Sequence, residues 1–180
     1  TAAGTGSGAS QDPAVVAGFR NEANKVAERI ERDGIAALGE AYLAGPSRLQ
    51  YLAKDPRGYA EFKRQFIEGA STGRANTMRG VLARRTPLFE RGAELGAIQE
   101  PVLIVCGDED DATLDVSLFM KRVIPRSGLM MFPKTGHTIN LEEPAGFNAV
   151  VANFIHAVET DRWPVNVSTA GKGFTILPKS

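Results

Sequence analysis

Between Val15 and Ile30 the apolar residues Val16, Phe19, Ala23, Val26, Ala27 and Ile30 recur at spacings of three and four. That spacing predicts one face of an amphipathic helix. Asp12 and Pro13 offer a cap and a first helical position in front of it. Gly34 stops or interrupts the pattern, and Ile35 to Leu43 reads as a further short helical piece ended by Gly45-Pro46. Asp55-Pro56 opens a third helix, with Tyr59, Phe62 and Phe66 on one stripe, and a fourth runs from about Arg74 to Arg85 with Met78, Val81 and Leu82 inward. Residues 13–85 are therefore expected to be helical, with no strand among them. The twelve residues before them, TAAGTGSGASQD, are small and read as a flexible loop with no strand of its own.

The pattern changes after Pro101. Val-Leu-Ile-Val-Cys over 102–106 is a continuous apolar run of strand length between Pro and Gly, which suits a strand buried on both faces of a parallel sheet. Val116 to Ile124 reads as a helix stopped at Pro125, Leu129 to Phe132 as a second buried strand, and Glu143-Pro144 as the start of a last helix carrying Phe147, Val150, Val151, Phe154 and Val158. Strand, helix, strand, helix is the order of a right-handed α/β unit. Residues after Trp163 read as an extended tail.

Composition narrows the function classes. The chain has 180 residues, 21 Lys+Arg and 21 Asp+Glu, hence a formal net charge of zero, which argues against nucleic acid as a partner. At 43% hydrophobic and 23% charged it has the make-up of a globular protein. No apolar run approaches the roughly 20 residues of a membrane span, and the start lacks a charged-then-apolar export signal. The single cysteine, Cys106, rules out an internal disulfide framework and a cysteine zinc cluster, so a reducing, cytoplasmic address is the simplest expectation. Charge is uneven: residues 101–160 carry a net −4 and residues 1–100 a net +2. The acids cluster directly after the first strand, where α/β sheets place functional loops.

Two loops stand out. Gly107-Asp108-Glu109-Asp110-Asp111 follows the strand 102–106, and Thr135-Gly136-His137-Thr138 follows the strand 129–132. Both leave the carboxyl end of a parallel strand and should emerge on one rim, where a carboxylate fixes the tautomer of an imidazole and stabilises its charged form. Taken singly, an acidic turn is an ordinary solvated loop and a histidine after a strand an ordinary structural residue; their pairing at matching strand ends points to catalysis.

The strings PVLIVCGDEDD and FPKTGHTINLEEPAGFN resemble the acid-bearing and histidine-bearing motifs of the α/β-hydrolase family. The resemblance implies the C-terminal part of an α/β-hydrolase fold: a helical cap over 13–100, two parallel strands with flanking helices over 101–160, a loop or linker over 1–12 and a tail over 161–180. It assigns the catalytic acid to Asp110 and the base to His137, with Asp108 as the other register for the acid. The family's nucleophile precedes both in the chain, on a strand–elbow–helix, and no such strand is legible here. Gly69-Ala70-Ser71-Thr72-Gly73 fits GxSxG, and Ser71, Asp110, His137 have the family's order. The helical stripe Tyr59, Phe62, Phe66 before it nevertheless places Ser71 in a loop or cap, which makes it a secondary candidate nucleophile.

Two apolar strands do not make a stable sheet in water, so the chain is expected to be the C-terminal portion of a longer or split enzyme. The implied function is hydrolysis of a small organic ester or related acyl or C–C substrate. The partners are then that small molecule and the N-terminal half of the same fold, which carries the nucleophile (Ser, or Asp or Cys in sister enzymes), with no membrane partner; alone, the chain is expected to be inactive. The alternative is a non-catalytic hydrolase-like module that binds a ligand or partner, or an inactive fragment. No cofactor or metal is called for. Gly4-Thr5-Gly6-Ser7-Gly8-Ala9 approximates a dinucleotide loop but has no strand in front of it and reads as a linker. Cys106 should be a buried small hydrophobe, His156 an exposed or packing residue, and Arg84-Arg85 a solvated pair that also suits an anionic substrate.

Overall fold

A computed structural model describes residues 1–6 and 8–167 of the chain; the expected tail lies outside the described residues from 168 onward. In the helical region the Asp12 carboxylate accepts the Ala14 amide at 2.8 Å and Pro13 takes the first position of α1 (Pro13–Leu43). Gly34 breaks α1 internally at φ 79° and ψ 161°, a region open to glycine and strained for other residues. The break lets Ala27 and Ile30 before it, and Ile35 and Leu38 after it, share one core with Ala75 and Met78.

A turn over Pro46–Arg48 and the six-residue α2 (Leu49–Lys54) come next; both are too short to carry a period of their own. At the start of α3 (Pro56–Glu68) the Asp55 carboxylate accepts the Gly58 amide at 2.8 Å. α4 (Ser71–Thr77) begins three residues before the expected Arg74 and widens into a π-turn over Met78–Leu82. Leu43, Tyr51 and Tyr59 form a second core, and Leu141 from the α/β region packs against it.

The sheet departs from expectation in one respect. Beside β2 (Val102–Gly107) and β3 (Ser127–Phe132) stands a third parallel strand, β1 (Ala2–Ala3), in the order β1-β2-β3. Ala2 lies opposite Ile104 and Ala3 opposite Val105, while Val102 to Gly107 run in register with Ser127 to Phe132. Two alanines have no hydrophobic period; the edge of β2 defines them as a strand. The loop after β1 is correspondingly packed rather than free, since the Gly4 amide donates to Val105 O at 3.2 Å.

Alternate residues of β2 serve opposite faces, as a doubly covered strand requires. Ile104 packs with Leu88, with Leu95 of α5 (Gly92–Gly96), and with Met120 and Ile124, reached through α6 (Asp111–Val123). Leu103 and Val105 pack with Phe132, with Ile139 of α7 (Ile139–Glu142), and with Phe147, Val150 and Phe154 of α8 (Pro144–Glu159). Burial of the β2 side chains Leu103, Ile104 and Val105 contributes about 1.5–3 kcal/mol each. The first residues of the expected tail also fold back: the Trp163 ring meets Phe154 edge-on at 4.8 Å between centroids, and its Nε1 donates to Arg126 O at 2.9 Å. Among the described residues no helix is long and apolar enough to cross a membrane.

Candidate active site

The parallel register sets the carboxyl ends of β2 and β3 side by side, with Gly107 opposite Phe132. Their loops then interlock through the main chain. The Asp108 amide donates to Phe132 O at 3.0 Å and the Glu109 amide to Thr135 O at 2.9 Å. Gly107 permits this approach, because a Cβ there would lie 2.2 Å from Thr135 O and 2.4 Å from Gly136 O.

On this rim His137 Nδ1 lies 2.8 Å from Asp110 Oδ2. Asp110 stands at the N-cap of α6, yet its carboxylate caps nothing; the turn is held by its carbonyl, which accepts the Thr113 and Leu114 amides at 2.8 and 3.1 Å. That leaves the side chain for the histidine and for the Thr113 hydroxyl, which donates to the same Oδ2 at 2.5 Å. Asp110 is 4% exposed. Burial pushes its carboxyl up, but the hydrogen bonds from His137 and Thr113, helped by the charges of His137 and Arg48, hold it below its ordinary value. His137 is partly open, with 23% of its side chain exposed, and among the described residues Nε2 has no hydrogen-bond partner. Such a ring is anchored at one nitrogen and available for proton transfer at the other.

The remaining sequence candidates separate from this pair. Asp108 turns its Oδ1 to the Thr135 amide at 3.2 Å, so it braces the histidine loop from behind. Ser71 accepts the Ile35 amide at 3.0 Å, supplying the hydrogen bond lost where Gly34 breaks α1; its hydroxyl belongs to the helical core. Cys106 is fully buried and His156 is exposed on α8. Arg84 is exposed, but Arg85 is not simply solvated: its guanidinium sits 5.4 Å over the Phe19 ring, and burial lowers its pKa. Arg85 also borders a cavity of about 200 Å³ with Thr5, Gly6, Phe19, Arg20 and Leu88, which His137 does not line. Gly4, expected in a linker, lies against the imidazole: a Cβ there would be 3.3 Å from His137 Nδ1. Among the described residues no group of three or more His, Cys, Asp and Glu side chains is placed to hold a metal ion.

Sequence reasoning missed four contributors. Thr113 carried a weak signal, three residues after Asp110 in the first turn of a helix. Arg48 and Lys54 carried none beyond their charge, because their partners Asp110 and Thr135 are distant in the chain; Glu142, four and six residues after its partners, showed only as a carboxylate in the first turn of a short helix. Glu142 is buried on α7 and accepts the Gly136 amide at 2.7 Å and the Thr138 amide at 3.0 Å.

No protein-family model matches the chain. It is 31% identical over 137 residues, 74% of its length, to a Bacillus subtilis protein provisionally named 2-succinyl-6-hydroxy-2,4-cyclohexadiene-1-carboxylate synthase. The chain spans about half of that relative, 48% of its length. Among solved structures it superposes on MenH from S. aureus with a TM-score of 0.77 at 19% identity, covering 84% of this chain and 56% of that one. A thermophilic esterase from Thermogutta terrifontis gives 0.70 at 20% identity, covering 84% of this chain and 53% of that one.

Proposed function

Because the chain belongs to the α/β-hydrolase family, we propose that it supplies the acid and the base of a nucleophile–His–Asp hydrolase. The substrate class is a small organic ester or a related acyl or C–C compound. The observation that carries this reading is the 2.8 Å contact between Asp110 Oδ2 and His137 Nδ1, with Nε2 left open. In it, Asp110 fixes the tautomer and orientation of the ring and stabilises the imidazolium. His137 Nε2 takes the nucleophile's proton, returns it to the leaving group, and then activates water.

The nucleophile and the backbone donors for the oxyanion come from the N-terminal half of the same fold, on the same or a separate chain. Residues 13–100 act as the cap over the substrate. Assignment of the nucleophile to that half is supported by the engagement of Ser71 with Ile35.

The test uses the complete protein and a short p-nitrophenyl ester. His137→Ala should lower turnover by at least about a thousandfold with folding intact. Unchanged turnover would remove His137 from the site. A second reading, a hydrolase-like module that binds without turning over, draws on one observation: among the described residues no hydroxyl or thiol meets Nε2. Covalent labelling of the complete protein by a fluorophosphonate supports catalysis by a serine; failure to label, with no ester turnover, favours the module.

A further inference from the structure

The histidine loop carries a second carboxylate, and the mechanism above gives it no role. The Glu142 side chain is fully buried. Its Oε2 accepts the Gly136 amide at 2.7 Å; its Oε1 accepts the Thr138 amide at 3.0 Å and the Thr138 hydroxyl at 2.9 Å. Gly136 and Thr138 flank His137, so one side chain grips the main chain on both sides of the imidazole. A carboxylate accepts only, and three donors converge on it. Lys54 of α2 stands behind this grip: its Nζ is 4.0 Å from Glu142 Oε2, 3.0 Å from Thr135 Oγ1 and 2.5 Å from Glu143 Oε1. A buried carboxylate persists where it is paired and hydrogen-bonded. Here the pairing cation comes from the helical region.

We propose that Glu142 is a positioning residue for His137. It sets the ring so that Nδ1 meets Asp110, and Lys54 makes that setting depend on α2 being seated against the histidine loop. Glu142 acts through His137 and reaches no substrate; its effect on turnover rests on the reading of His137 as the base, while its effect on the ring does not.

The experiment follows the Nδ1 proton of His137 in the complete protein with ¹⁵N-labelled histidine, assigned against His137→Gln. Glu142→Gln keeps the size but exchanges one acceptor oxygen for an amino group, so the donors on one side of His137 lose their partner. The expected result is a low-field Nδ1 proton in the native protein that broadens or moves upfield in Glu142→Gln. With it, kcat falls about 10- to 100-fold while KM stays within about twofold, the scale for groups that orient a functional histidine. Lys54→Met should produce a smaller shift in the same direction. An unchanged resonance in Glu142→Gln overturns the proposal. Should that variant not fold, the amides of Gly136 and Thr138 in the native protein decide: slow hydrogen exchange supports the grip, and exchange as fast as in an open loop overturns it. If His137→Gln retains full turnover, the hydrolase reading fails, while the resonance still reports on Glu142.

Discussion

Thr113 and His137 converge on one oxygen of Asp110, at 2.5 and 2.8 Å. The acid is thereby held from its own helix as well as by the ring it serves. Thr113 is fully buried, so Thr113→Val preserves shape and removes only the hydroxyl. A hydrogen bond to a charged group contributes about 1.5–3 kcal/mol. Thr113→Val should therefore destabilise the fold by about 1.5–3 kcal/mol and lower kcat/KM by about tenfold, read by urea unfolding and ester kinetics. Full activity in this variant would show that the ring alone orients Asp110.

Asp110 and Asp108 lie two residues apart with different partners, a side chain in one case and a main-chain amide in the other. Asp110→Asn should cost at least about a hundredfold in kcat. Asp108→Asn keeps an acceptor for the Thr135 amide and should cost less than about tenfold. Steady-state kinetics on the two variants tests the order, and a reversed order assigns the acid to Asp108.

Ser71 is expected to matter for stability rather than turnover. Ser71→Ala leaves the Ile35 amide without its acceptor, at a cost of about 1–2 kcal/mol. Denaturant unfolding should register that loss while ester hydrolysis by the complete protein continues. Abolished hydrolysis in a folded Ser71→Ala protein would restore Ser71 as the nucleophile.

Acid should weaken the fold through Asp110. Its folded pKa lies below the ordinary carboxylate value, so the unfolded chain takes up the proton first as pH falls. The stabilisation is complete above about pH 4 and is lost as pH drops through the folded pKa. The difference in unfolding free energy between the native protein and Asp110→Asn should be largest near pH 6 and shrink toward pH 3. A difference independent of pH would contradict the hydrogen-bonded, ionised state of Asp110.

Gly107→Ala tests the interlocking of the two loops. A Cβ at this position meets two carbonyl oxygens of the main chain, which have little freedom to yield. The variant should be destabilised by more than about 2 kcal/mol and should lose activity even where it folds, because the shift falls on the Thr135–Gly136 peptide next to His137. Native activity and stability would show that the loops separate without consequence.

Periodicity and punctuation by themselves determined much of this protein. Gly34 marks the break in α1, Asp12-Pro13 and Asp55-Pro56 mark helix starts, and the apolar run 102–106 marks a strand covered on both faces. These features are local: a cap, a stripe or a run acts within about one turn or one strand of chain. The same local reading placed Asp110 and His137 at the ends of neighbouring strands, although choosing Asp110 over Asp108 rested on family resemblance. Tertiary structure alone decided the rest. Ala2–Ala3 became a strand only against the edge of β2, and Gly4 came to rest on His137. Lys54 acquired its meaning from what it faces: it reaches Thr135 across 81 positions of chain. Hydrogen bonds between distant segments depend on where the packed core sets two backbones, and hydrophobic spacing carries no record of that placement.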